Sequence, residues 1–154
     1  MKKKEVIDAF IGMLEERVRK FEQSLADTQR RASEAPGSNV SHSDTTKSQL
    51  SDVALGIQDQ LIVTREFLEQ LRMVSIREYG SVSVGALFSA KDGGNGEVNH
   101  FLIVPGGGGD STEVDGTEIT SLGRAAPLAQ AFLKHRKGDK VTFRGRTLEI
   151  IDVK

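Results

Sequence analysis

From residue 7 onward the apolar and small residues recur at steps of four and three. Ile7, Ile11, Leu14, Val18, Phe21, Leu25, Thr28 and Ala32 form one series, and Leu50, Ala54, Ile57, Leu61, Thr64, Leu68 and Leu71 form a second. Steps of this kind hold one stripe on one side of a helix, and two such stripes close on each other as a coiled-coil seam. The pattern predicts two helical arms, about 4–33 and 44–73. The intervening Glu34-Ala35-Pro36-Gly37-Ser38-Asn39-Val40-Ser41-His42-Ser43-Asp44 holds a Pro and a Gly that stop the first arm and an Asp that can cap the second. Residues 1–75 are thus expected to form an antiparallel hairpin with its tip at about 34–44. An arm of roughly 30 residues at ~1.5 Å per residue reaches about 45 Å. Such a hairpin suits the delivery of a few tip side chains into a deep place on a partner. The same heptads would also serve half of a four-helix bundle.

Local features agree with the arms. Glu15-Glu16 precede Arg19-Lys20 by four residues, which supports an exposed helix face, and Arg30 and Arg31 fall in the last turn, where cations complement the helix dipole. Gly56 costs the second arm about 1 kcal/mol relative to Ala without breaking the seam.

After residue 74 the period changes to two. Val82, Val84 and Ala86 alternate with Ser81, Ser83 and Gly85, predicting a half-buried strand through Phe88. Asp92-Gly93-Gly94-Asn95-Gly96 reads as a turn, Val98–Val104 as a second strand and Thr117–Thr120 as a short third. A brief helix follows, with Pro127 in its first turn and Gly138 just past its end. Lys140–Phe143 and Thr147–Val153 close the chain as a hairpin around Arg144-Gly145-Arg146. The fold class is α+β: a coiled-coil hairpin over 1–75, then over 76–154 a small, mostly antiparallel sheet with one short helix.

Composition narrows the function classes. The 154 residues are 37% apolar and 28% charged, with a formal net charge of −1. The arms carry eleven basic and twelve acidic residues, and 74–154 carry ten of each, so neither half is a polycation built to neutralise free nucleic acid. Cysteine is absent, excluding disulfides and thiolate metal sites. No apolar stretch approaches the ~20 residues of a membrane span, and the basic Met1-Lys2-Lys3-Lys4 start meets Glu5, Asp8, Glu15 and Glu16 rather than a signal-peptide core. The expected setting is cytoplasmic.

Few motifs carry chemistry. Gly106–Gly109 precede Asp110, Glu113 and Asp115 rather than Lys-Ser or Lys-Thr, so a turn is expected and a phosphate loop is not. His42, His100 and His135 lack metal-ligand spacing, and nothing forms a nucleophile elbow or a Ser/His/Asp set. Lys134, Arg136, Lys137, Lys140, Arg144 and Arg146 make a local basic cluster opposed only by Asp139: either a solvated face or a contact for an acidic patch on a protein.

The segment Ile119-Thr120-Ser121, then Ala126-Pro127-Leu128-Ala129-Gln130-Ala131-Phe132-Leu133, then Lys137-Gly138-Asp139-Lys140-Val141 resembles the C-terminal signature of the GreA/GreB transcription elongation factors. In that signature an Ile-Ser strand end precedes Ser-Pro-Leu/Ile-Gly-x-Ala-Leu and then Gly-Asp-x-Val. The tail Val141–Val153 resembles the family's closing hairpin. A hairpin of about this length before an FKBP-like domain is the family's architecture, so the resemblance covers the whole chain. Two departures stand out: Ala126 takes the place of the usual Ser, and His135-Arg136 that of a Gly-Lys stretch.

The resemblance implies an accessory factor rather than an enzyme, acting as a monomer on core RNA polymerase. Family members pass the coiled coil through the polymerase's secondary channel, where tip carboxylates help hold the second catalytic Mg²⁺ and orient water to cleave backtracked RNA. Mg²⁺ favours such hard oxygen ligands; no cofactor of the chain's own and only indirect contact with DNA are implied. The family's cleavage-competent tip reads Asp-Leu-x-Glu-Asn, which this chain lacks. Asp44 is the expected tip carboxylate, with an N-cap role as its alternative, and Glu34 is a weaker candidate. Arg30, Arg31, His42 and Lys47 would touch the RNA 3′ end or polymerase at the tip; Pro127, Leu128, Lys134, Arg136 and Lys137 would grip the channel rim. The outcome is cleavage stimulation, or competition without cleavage.

A rival from another class is a coiled-coil chaperone or adaptor, which calls for apolar residues beyond the seam; Val6, Phe10, Met13, Ile62 and Phe67 answer that demand in part. Prolyl isomerase activity ranks low, because the C-terminal part has one tyrosine, Tyr79, and the chain has no tryptophan.

Overall fold

The structure, a computed structural model, describes residues 1–34 and 41–154, apart from the side chains of 41–45. Two long helices, α1 (Lys3–Glu34) and α2 (Ser41–Arg72), are followed by a six-stranded sheet with one short helix. The elements pack as two compact units. One comprises residues 1–11 with 69–154, and the other residues 12–68.

The 12–68 unit is an antiparallel pairing of the two helices. Every seam position lies inward: Leu14, Leu61, Thr64 and Leu68 are buried, and Val18, Phe21, Leu25, Thr28, Ala32, Leu50, Ala54 and Ile57 are half-buried. A two-helix seam has cover on one side only, so partial burial is what the heptads can supply. Thr64 returns its hydroxyl to the Gln60 carbonyl at 2.7 Å, which lets a polar side chain sit in the seam. Arg65 bridges Glu22 of the facing helix at 2.5 Å, and Arg19 pairs with Glu16 along α1. The Pro36-Gly37 interruption and the tip loop lie outside the described residues.

In the other unit the sheet consists of β1 (Leu87–Asp92), β2 (Val98–Val104), β3 (Ser111–Val114), β4 (Thr117–Gly123), β5 (Lys140–Phe143) and β6 (Arg146–Val153). Their order is β3-β4-β2-β1-β6-β5. All neighbours are antiparallel except β2 and β4, which run parallel with His100 opposite Ile119. The short helix α3 (Pro127–Phe132) places Ala129 and Phe132 in a core with Val82, Phe88, Ala90, Ile103, Leu122, Val141 and Ile150. Phe88 meets Phe132 and Phe101 with ring centres 4.9 and 5.3 Å apart. Val6, Ile7, Phe10 and Leu71, from the helix ends that belong to this unit, are buried as well.

Four details differ from the sequence expectation. The alternation at 81–86 is not a strand: Gly85 turns at φ 91°, and Val82 instead exchanges backbone bonds with His135 and Lys134, both 2.8 Å. The strand begins at Leu87. A further strand, β3, precedes the expected one, and β4 runs on to Gly123. α3 ends at Phe132, where Lys134 takes the positive φ of 72°, and Gly138 (φ 92°) serves the turn before β5 instead. α2 starts at Ser41, so Asp44 lies within the first turn rather than ahead of it.

The glycine run has a specific structural role. The chain leaving β2 passes the end of β4 at backbone contact: a Cβ on Gly108 would stand 2.9 Å from the Gly123 Cα. One on Gly123 would meet the Gly107 carbonyl well inside the 3.0 Å that real Cβ atoms keep. Gly107, Gly108 and Gly109 all have positive φ. Amide and carbonyl bonds from Gly109 and Asp110 to Ser121, 2.7 and 2.8 Å, fasten the crossing. Glycine is the residue that allows so close an approach.

Candidate functional site

The residues proposed from sequence fall into two groups, one on each compact unit. The first sits where the paired helices meet the tip. Glu34 is the last residue of α1 and is exposed; Arg31, in the same last turn, is also exposed. Arg30 pairs with Asp27 one turn back, at 3.4 Å, with both side chains about half exposed or more. Such a pair is worth well under ~1 kcal/mol and leaves the guanidinium available to a partner. Lys47 is exposed and its carbonyl accepts the Ser51 hydroxyl at 3.0 Å. His42 and Asp44 occupy the first turn of α2, and their side chains lie outside the described residues. A carboxylate in a first helical turn is favoured by the positive end of the helix dipole. Among the described residues no group of three His, Asp or Glu side chains could hold a metal ion.

The second group borders α3. Pro127, at the first position of the helix, is exposed, while Leu128 is half-buried against the core. The loop that follows is fastened by hydrogen bonds. Lys134 donates its amide to Val82, His135 turns Nδ1 toward the Leu133 carbonyl at 3.2 Å, and the Arg136 amide donates to the Asp139 carboxylate at 2.7 Å. Asp139, the single acid in this basic stretch, therefore closes a turn. The side chains of Lys134, Arg136, Lys137 and Lys140 remain exposed.

Arg144 and Arg146 act differently from the rest of the cluster. Arg144 (φ 49°) and Gly145 (φ 77°) form the two-residue turn of the β5–β6 hairpin, with the guanidinium 5.2 Å from the Phe143 ring centre. Arg146 donates to the buried Asp92 carboxylate at 2.8 Å. The other oxygen of Asp92 accepts the Gly94 amide at 2.7 Å. A buried carboxylate needs such partners, so Arg146 is committed to joining two turns. Above them lies an open cleft of about 550 Å³ lined by Gly93, Gly94, Asn95 and Thr147.

Sequence reasoning missed a second buried charge. Lys3, only 6% exposed, donates to the Arg77 carbonyl at 2.8 Å and stands 4.0 Å from the centre of the Tyr79 ring. Burial, joined by the positive charge of Arg77 and partly offset by Glu78, lowers its pKa from 10.5 to about 8. The signal was available, since Lys3 stands four residues before Ile7 and so on the face of the apolar stripe.

Among the described residues no helix is long and apolar enough to cross a membrane. No protein-family model and no curated protein matches the chain. Solved structures do resemble it. GreA factor homolog 1 (Gfh1) of Thermus thermophilus is 17% identical over 94% of both chains, with a TM-score of 0.37. Thermus aquaticus Gfh1 is 16% identical over 95% of this chain and 94% of its own, also at 0.37. A further structure, described as the transcription factor Gfh1, is 15% identical over 94% and 93%, at 0.39.

Proposed function

We propose that this protein is a transcription factor of the secondary-channel type, which binds core RNA polymerase, passes its paired helices toward the active centre and modulates cleavage of backtracked RNA. The observation that carries the proposal is the pairing of a 4-3 helical hairpin with a C-terminal unit built on the quoted signature. Ile119 and Ser121 are buried in β4, Pro127 opens α3, and Val141 is buried in β5. The tip then supplies exposed Glu34, with Asp44 one short connection away along the chain, as ligands for the partner's Mg²⁺, and Arg30, Arg31, His42 and Lys47 as contacts for the RNA 3′ end. Pro127 and the exposed Lys134, Arg136 and Lys137 grip the partner, together with whatever part of Leu128 the core leaves open. The chain performs no chemistry alone; the nuclease is the polymerase's.

A pull-down with core polymerase, followed by cleavage of a stalled, backtracked complex, tests the proposal. Asp44→Ala is expected to reduce cleavage at least several-fold while binding persists. Cleavage unchanged in that variant removes Asp44 from the mechanism. Binding without stimulation by the parent chain identifies a competitor instead, and failure to bind polymerase overturns the proposal outright.

A further inference from the structure

The side of α2 facing away from the seam has a pattern of its own. Asp52, Asp59 and Glu66 recur every seven residues, and a step of seven drifts only about 20° around a helix. They therefore form one acidic line. Beside it lie Leu55 and Ile62, also seven apart and 59% and 56% exposed, and Val63, 42% exposed. The hairpin seam uses none of these positions. Exposed aliphatics on a heptad spacing, beside a line of carboxylates, are what a coiled-coil surface offers to a further strand.

Gly56 lies on the same side and points the same way. A helix-interior glycine costs about 1 kcal/mol relative to Ala, yet a Cβ there would meet no atom within 4 Å beyond its own stretch of helix backbone. Among the described residues no packing within the hairpin accounts for its lack of a side chain. On an outward face a missing Cβ lets a second helix approach more closely, because interaxial distance is set by the side chains at the crossing.

We propose that the outer face of α2 over residues 52–66 docks a basic amphipathic helix of a protein partner, with Leu55, Ile62 and Val63 against its apolar stripe, Gly56 at the crossing and the acidic line facing its lysines or arginines. The chemistry disfavours other occupants. A second copy of the same face would set carboxylates against carboxylates. Phosphate backbones and anionic headgroups would be repelled by the same line. The proposal stands apart from the polymerase reading.

The probe is a fluorescently labelled 21-residue synthetic helix with leucine and isoleucine on one stripe and lysine and arginine flanking it, titrated against the full chain by anisotropy. Saturable binding is expected. The exposed-site double variant Leu55→Glu/Ile62→Glu should weaken it at least tenfold with helicity by circular dichroism unchanged. Asp59→Asn should weaken it and flatten its salt dependence. Gly56→Ala should raise the melting temperature yet weaken the peptide, a split that a purely structural role would not give. Binding that survives Leu55→Glu/Ile62→Glu undiminished, no saturable binding to the parent chain, or self-association abolished by that double variant would each overturn the proposal.

Discussion

Gly123 shows how much a single hydrogen can decide. Its φ is not positive, so Ala there would bring no backbone strain, only a methyl group driven into the Gly107 carbonyl. Because backbone opposes backbone, neither side can yield cheaply. We expect Gly123→Ala to destabilise the protein by about 3 kcal/mol or more. Gly109→Ala, with open space but a φ of 87°, should cost about 1 kcal/mol, and thermal melts of the two variants check the contrast. Lys3 makes a second expectation. The unfolded chain keeps this proton up to about pH 10.5, whereas the folded chain releases it near 8. Between those values the unfolded state binds more protons, so stability rises with pH, by at most about 3 kcal/mol. Lys3→Met should remove that rise, read as the difference in melting temperature between pH 8 and pH 10 for variant and parent. Neither residue's role stands out in the sequence in the same way. Lys3 is legible from its phase relative to Ile7, while the partner of Gly123 lies across a non-local crossing. Likewise the pairing of Arg146 with Asp92 joins two turns that only the folded sheet brings together.

Among the elements, the helices were the most legible, because a dense 4-3 repeat admits one phase only. Leu61 is 4% exposed at the buried stretch of the seam, so Leu61→Ala should cost about 2–4 kcal/mol in urea unfolding. Glu22→Gln, which breaks only the exposed bridge to Arg65, should cost under about 1 kcal/mol. The strands were less legible for identifiable reasons. Val82-Ser83-Val84 alternates as a strand would, but Gly85 and the bonds to 134–135 recruit it to a different partner. Ser111-Thr112-Glu113-Val114 is short and polar at three of its four positions, a poor signal for a strand that needs only one neighbour. Gly138 does not end the helix because α3 stops earlier, at Phe132, and the non-glycine Lys134 takes the left-handed position after it.

For the whole molecule, the stretch that carries the family resemblance places five of its residues in the interior. Ile119, Ser121, Ala129, Phe132 and Val141 fill or border the core, so this signature records architecture, and under the proposed function the outcome would rest on the tip instead. That is why the fold was readable from sequence while the choice between stimulation and competition was not. The placement of β4 between β2 and β3 has its own consequence for assembly. β3 is an edge strand that pairs with β4 alone, over four residues. It should peel first and reattach last: in deuterium exchange the amides of 111–114 are expected to lose protection well before those of β2 and β4, at no cost to the central strands.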